Sequence, residues 1–452
     1  MRIAIVGSGV SGLGAAWLLD PQHQVTLYEA AGRLGGHANT IMAPLDASGA
    51  AVPVDTGFIV YNEHTYPNLT ALFRALDVPS TATAMSFAVS SRDGRLEYAG
   101  TSALHLYAQP RNLLRAAHHR MVRDILRFFR EAPALLEEES GEDTGEHGPT
   151  LGAWLAANGY SEAFIFDHLL PMGAAIWSST VAEMMRFPAR SFVAFFRNHG
   201  LLSVRDRPQW RSVAGGSRTY VERIRKGLRG AVRTNSAAAS VRRLPTGVAV
   251  TDRHGETAVY DEVILACHAD QALALLADRD ELEHRHLSAF RYEPNKAVLH
   301  SDTSLMPRRR RVWSAWNYLS RGVSQNDARL CVSYWMNRLQ SLPCRRPFFV
   351  TVNPVHAPAP DTVVAAFDYS HPQFDQAAID AQAALGALQG RRHTWFCGSY
   401  FGYGFHEDGL ASGLAVAEAL GARRPWSVTE ASPAYANAQP RLPAGVILEA
   451  AE

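Results

Sequence analysis

The sequence opens on a run that few folds can accommodate. Arg2-Ile3-Ala4-Ile5-Val6 is a short, mostly apolar stretch suited to a buried strand, and it leads directly into Gly7-Ser8-Gly9-Val10-Ser11-Gly12. Ser11 to Leu19 is helix-compatible until Asp20-Pro21 stops it. Val25 to Tyr28 is a second β-rich run, closed by Glu29. A GxGxxG pattern alone is weak, because glycines also mark ordinary turns. Strand, glycine turn, helix, strand and terminal acid in that order form a dinucleotide-binding β-α-β unit. Gly7 permits the tight turn, Gly9 lets a pyrophosphate approach the backbone, and Gly12 lets helix and strand pack closely. The phosphates then meet the helix start around Ser11, where unpaired N–H groups and the helix dipole favour negative charge. Glu29, about twenty residues further on, can accept from ribose hydroxyls.

The remaining properties suit an ordered, two-lobed protein. The 452 residues are 47% hydrophobic and 19% charged, enough to bury a substantial core. A formal net charge of +1 argues against a dedicated nucleic-acid binder. Cys267, Cys331, Cys344 and Cys397 form neither a CxxC pair nor a metal-ligand spacing, so unpaired thiols and no metal site are expected. No apolar run reaches the roughly 20 residues of a membrane span. With Arg2 followed at once by the first strand, no leader is expected, and the predicted location is the cytoplasm.

Residues 69–76 and 101–139 read as helical, the second stretch interrupted near Pro110 and Pro133, with an exposed acidic loop over Glu137 to His147. Arg111 to Arg130 places Leu114, Met121, Ile125 and Phe128 at helical spacing with arginines between them. Such a helix either packs on the protein with a solvated basic face or lies on anionic lipid at the inner membrane. Arg308 to Arg311 is a solvated charge run or an addition to that surface. A last strand, Thr394 to Cys397, precedes a glycine-rich loop and a helix from about Gly409 to Leu420. The tail from Arg423 has no pattern.

Arg33-Leu34-Gly35-Gly36-His37-Ala38-Asn39-Thr40, just after Glu29-Ala30, resembles the RxGGRxxT stretch of the amine oxidase and carotenoid desaturase superfamily of flavoproteins. That resemblance, not the β-α-β unit, selects FAD over NAD. It implies that Gly35 and Gly36 pass close to the pyrophosphate and flavin, where a Cβ would collide. His37 stands where the superfamily often has Arg. Asp55-Thr56-Gly57 is similar to the superfamily's DxG segment, and Gly215-Gly216 to its GG-helix element. Val263 to Cys267-His268 resembles the strand beside the dinucleotide. Cys397-Gly398-Ser399 with Gly409-Leu410 resembles the C-terminal flavin-binding strand and helix, although Ser399 replaces the usual acid. A helix starting near Gly409 would aim its N–H groups at the flavin N1/C2=O edge.

The implied fold is α/β: a Rossmann-type FAD-binding domain with an inserted mixed α+β substrate domain, as in amine oxidases. The FAD domain is expected over 1–75, 205–295 and 390–425, the substrate domain over 76–204 and 296–389, and a C-terminal tail over 426–452. Lys296, one of two lysines in the chain, resembles the amine oxidase lysine that holds a water at flavin N5. A strand-end surface lysine is the plain alternative. His406, Glu407 and Asp408 suit either proton transfer or capping of the last helix.

A narrower resemblance covers Asp55 to Asn62, Leu170 to Trp177 and Gly402 to Gly409. These blocks look like a bacterial group of predicted NAD/FAD-binding proteins, commonly associated with cyclopropane-fatty-acid synthase-like methyltransferases. The group is also similar to the oxidase-like part of plant cyclopropane synthases. The resemblance implies an unsaturated or methyl-branched fatty acyl substrate and a methyltransferase partner. The aromatics Trp177, Phe192, Phe195, Trp313, Trp316, Tyr318, Tyr334 and Trp335 line an apolar tunnel or fill a core. Other readings of the same scaffold are an amine or amino-acid oxidase, a double-bond isomerase, or a non-catalytic flavin-bound partner of a lipid methyltransferase.

Overall fold

In the computed structural model, residues 1–46, 49–137, 148–203, 207–320, 331–427 and 433–440 are described. Most of the expected acidic loop and of the tail lies outside them. The opening strand Arg2–Val6 is the centre of a five-stranded parallel sheet. Across it the order is Ala231–Arg233, Gln24–Tyr28, Arg2–Val6, Glu262–Leu265, Thr394–Phe396. Ile3, Ile5, Leu27, Ile264 and Phe396 are fully buried, as strands covered on both faces require. All five strands therefore end at one edge, where the Gly7 turn, Glu29, Cys267 and Gly398 follow them. Ligands of open parallel sheets bind at that edge.

The helix Val10–Leu19 covers one face of the sheet and packs directly on the helix His406–Ala419. Small residues make this contact possible. A Cβ on Gly14 would stand 2.5 Å from Leu410 Cδ1, and one on Gly413 would run into the Ser11 carbonyl. The two ends of the chain are thereby brought to one edge of one sheet. The last helix begins at His406, one turn earlier than expected, so His406, Glu407 and Asp408 form its first turn. The tail carries a short helix, Pro433–Ala438, that no sequence pattern announced.

A second, seven-stranded mixed sheet runs in the order Val363–Gln373, Arg291–His300, Phe349–Val352, Val332–Trp335, Trp316–Leu319, Phe87–Ser91, Leu96–Ala99. The strand Arg291–His300 pairs along its length with Val363–Gln373, so the division expected between 295 and 296 falls inside one strand. Helices Ala116–Glu131, Leu170–Trp177 and Ala189–Asn198 pack against this lobe through Phe128, Trp177, Phe192 and Phe196. Of the aromatics considered for a tunnel, Trp177, Phe192, Phe195 and Tyr318 are buried core. Phe192 and Phe196 stack at 4.2 Å, while Trp313 packs separately on Trp335 and Phe349. The helix Ala116–Glu131 buries Met121, Ile125 and Phe128 in the protein. No helix among the described residues is long and apolar enough to cross a membrane.

Replacing Gly413 by Val should force the two helices apart at the Ser11 carbonyl. The expected cost is about 1–3 kcal/mol with loss of retained flavin, measured by thermal unfolding and by absorbance of the purified protein. Gly227→Ala, whose Cβ would meet no atom within 4 Å, should change neither.

Candidate active site

The helix Val10–Leu19 starts in a way that invites an anion. Its N-cap is Gly9, no side chain caps it, its first turn holds no acid, and Val10, Ser11 and Gly12 are buried. The first amides of a helix have no intrahelical acceptor, so a buried start of this kind needs a partner from outside the helix. Space is left for one. A Cβ on Gly9 would meet nothing within 4 Å, while Gly36, at φ +56°, comes so near that its own Cβ would stand 3.3 Å from Gly9 Cα. The two glycines bring two backbones to the edge of one open cradle.

Glu29 stands at the second strand's end, but both of its oxygens are engaged. Oε2 accepts from the Ser8 amide (3.1 Å) and the Ser8 hydroxyl (2.5 Å), and Oε1 from the Ala31 amide (2.8 Å). Ser8 ties it to the next loop as well, since the Gly35 amide donates to Ser8 Oγ at 3.3 Å. Exposed Arg33 donates to the Gly36 carbonyl at 2.9 Å, holding the Gly35-Gly36 turn in shape. Ala30 is exposed beside Glu29.

His37 is where the second lobe meets this cradle. It stacks on Tyr369 at 4.7 Å and lies 5.3 Å from His371, both from the strand Val363–Gln373. The Tyr369 hydroxyl in turn meets Asn39 Nδ2 and Thr56 Oγ1, each at 2.9 Å. Burial, then the neighbouring His371, holds His37 well below the usual imidazole range. His37 Nε2 is buried without a partner among the described residues. An open Gly9–Gly36 cradle, an uncapped helix start and an orphaned imidazole nitrogen together fit a two-headed nucleotide.

A model of flavin containing amine oxidoreductases matches residues 10–338, well over half of the sequence. The chain belongs to that family. It is an FAD-dependent oxidoreductase with an amine oxidase-like fold. Similar solved structures include a protein of Exiguobacterium sp. 255-15 provisionally named a protoporphyrinogen oxidase, with TM-score 0.67, 17% identity, and 93% of this chain and 98% of that one covered. The CLA-producing fatty acid isomerase of P. acnes gives TM-score 0.64 at 15% identity, over 93% and 98% of the chains. Cyclohexylamine oxidase from Brevibacterium oxydans IH-35A gives TM-score 0.61 at 15% identity, over 93% and 99%. At these identities the likeness is one of fold. No curated protein sequence matches the chain at a significant level.

In this flavin amine oxidoreductase the residues expected at the cofactor divide by role. Gly7, Gly9, Ser11, Gly12, Gly35, Gly36 and His37 gather at the cradle. Gly57 backs it, since its Cβ would strike the His37 carbonyl. Gly398 and Cys267 lie side by side at adjacent strand ends, the Gly398 amide donating to Ser412 Oγ at 3.0 Å. Burial pushes the Cys267 thiol up to about 12, so it is a neutral packing group. Ser399 begins the turn that follows. Gly409 lies against Val10, and Leu410 is buried against Gly14, a helix-packing residue with no exposed surface.

Two expected catalytic residues are placed elsewhere. Lys296 pairs across the sheet with Asp368, and both are exposed. Its neighbour Asn295 pairs with Tyr369, on the face that meets His37. Because side chains alternate along a strand, Lys296 points away from the cradle. Glu407 is a helix cap, but for a different helix from the one it begins. Its oxygens accept from the Asn68 amide (3.0 Å), Asn68 Nδ2 (2.8 Å) and the Leu69 amide (3.0 Å), at the start of Pro67–Ala75. Asp408 caps its own helix through the Tyr403 and Phe405 amides. His406 alone stays on the site, stacked on Phe58 at 3.8 Å with Nε2 3.0 Å from the Tyr220 hydroxyl.

Sequence reasoning missed Asp55 as a structural hub. Its carboxylate accepts from the Ser217 amide and hydroxyl, Thr40 and Gln340, and so joins the antiparallel strands Thr40–Pro44 and Ala51–Asp55 to the start of the helix Arg218–Gly227. The pairing of Asp55 with Ser217, just after Gly215-Gly216, is a long-range contact with no local pattern. Tyr369 and His371 were missed for the same reason.

Lys296→Met should leave flavin content and turnover within about twofold, checked by absorbance and steady-state rate, because the side chain faces solvent. A second expectation concerns pH. Burial holds His406 at about 3, below its ordinary 6.5. A depressed imidazole contributes stability at neutral pH that is lost as pH falls from 6.5 through the folded value. His406→Gln keeps an amide near Tyr220, so the gap in melting temperature between parent and variant should be widest near neutrality and close on acidification. Glu407 has the opposite sign: burial raises it from 4.5 to about 7, so its contribution is present in acid and fades as pH climbs toward 7.

Proposed function

We propose that this oxidoreductase acts on an unsaturated or methyl-branched fatty acyl chain, removing a hydrogen pair to introduce a double bond. The observation that carries this reading is the charge state of the site. Asp55 has both oxygens engaged by the chain's own donors, Glu407 and Asp408 are spent off the site as helix caps, and burial holds His37, His371 and His406 neutral. A protonated amine entering here would meet no uncommitted carboxylate among these groups, whereas an aliphatic chain needs none.

The resemblance of three sequence blocks to proteins associated with lipid methyltransferases supports the same substrate class, and a methyltransferase partner belongs to the proposal. When bound, FAD supplies a hydride acceptor. The chain's own residues would exclude water and hold the acyl chain by apolar contact. In this reading the Tyr220 hydroxyl and His406 Nε2, 3.0 Å apart, would be the pair to relay a proton. A redox-neutral shift of an existing double bond is the second reading, favoured by the likeness in fold to a fatty acid isomerase.

Anaerobic mixing of the yellow protein with phospholipid-bound and free acyl chains tests both. Bleaching of the flavin, with a product lighter by the mass of a hydrogen molecule, is the expected result. A product of unchanged mass with no lasting bleaching would select isomerisation. Peroxide release with amines and none with lipids would overturn the acyl reading.

A further inference from the structure

We propose that the surface around Leu104, Leu113 and Leu114 docks on an anionic phospholipid bilayer. These leucines are 86%, 56% and 91% exposed, on the short helix Ala103–Leu106 and the turn Pro110–Leu114 that lead into the basic helix. The apolar stripe of that helix is already spent on the protein core, so the face that the sequence offered to lipid is not available. The leucines before it are.

Tertiary contacts supply the charge. Gln109 Nε2 donates to the Gly94 carbonyl at 3.3 Å, and Arg115 Nη1 to the Arg95 carbonyl at 3.0 Å. The same turn receives the distant arginine run. A Cβ on Gly94 would stand 2.9 Å from Arg308 Cδ, and Arg309 is fixed by buried Glu97 at 2.7 Å. These ties set Arg308 to Arg311 beside Arg95 and Arg111, which the sequence holds far apart. Arg309 is committed to Glu97, and Arg310 lies over Trp313. Arg95, Arg111, Arg308 and Arg311 are exposed and make no ion pair among the described residues. Asp93 is the exposed acid within the turn.

Protruding leucines on a segment tied to a turn that gathers unpaired guanidinium groups match a bilayer surface: the aliphatic chains enter the headgroup boundary while the arginines meet lipid phosphates. A nucleic acid would use the arginines and gain little from the leucines, since single strands are gripped through stacking on aromatic rings. This inference goes beyond the proposed reaction and does not depend on it.

The test is co-sedimentation of the flavin-loaded full chain with vesicles of phosphatidylcholine, with and without phosphatidylglycerol. Binding is expected only to the anionic vesicles and should weaken with salt. Arg95→Gln with Arg111→Gln and Arg311→Gln should lower partitioning by about a hundred-fold, and Leu113→Gln with Leu114→Gln by about tenfold or more. Arg225→Gln with Lys226→Gln, on another exposed face, should leave it unchanged. Flavin absorbance and melting temperature should be unaltered in every variant. Failure of the parent to bind anionic vesicles would overturn the proposal. So would leucine variants that bind as the parent does, or a preference for single-stranded RNA that ignores the leucines.

Discussion

The molecule depends on a close contact between its first helix and its last. Val10–Leu19 and His406–Ala419 touch through Gly14, Gly409 and Gly413, where larger side chains would collide with Leu410, Val10 or the Ser11 carbonyl. That contact brings Gly398 and its Ser412 lock to the same sheet edge as the Gly7 turn. It also leaves a helix start with no side-chain cap among the described residues. The electrostatic demand of that start and the emptiness beside Gly9 are two sides of one arrangement: phosphate charge is welcome where backbone is bare.

Three carboxylates that a reader would nominate for chemistry are consumed in holding backbone. Asp55 and Glu407 fix the starts of two helices, and Asp408 closes the turn that precedes the third. Burial raises Asp55 to about 6 and Glu407 and Asp408 to about 7, and drives the adjoining imidazoles down. Both shifts have one cause, since low polarity penalises whichever form carries charge.

The dinucleotide unit was legible because its requirements are local. A tight turn, a close backbone approach and a terminal acid each demand a residue type at a fixed spacing. The Gly35-Gly36 turn and the closing strand and helix were readable through family likeness. Lys296 was misjudged because residue type was read without strand face; a period of two decides between cradle and solvent, and pairing with Asp368 settles it. Glu407 was misjudged because the helix it caps begins far away in sequence, at Pro67. The basic helix was correctly seen as amphipathic, but only packing determines what covers its apolar stripe.

The sequence by itself determined the parallel sheet with its glycine turn, since alternating short apolar strands and small-residue turns leave little else to build. It also determined the family, and with it the cofactor. Tertiary structure decided which polar groups face the cradle and which are spent as caps, and it gathered the scattered arginines around exposed leucines. Those outcomes turn on contacts between segments hundreds of residues apart. Spacing along a chain carries no record of such contacts, because they depend on how whole elements pack.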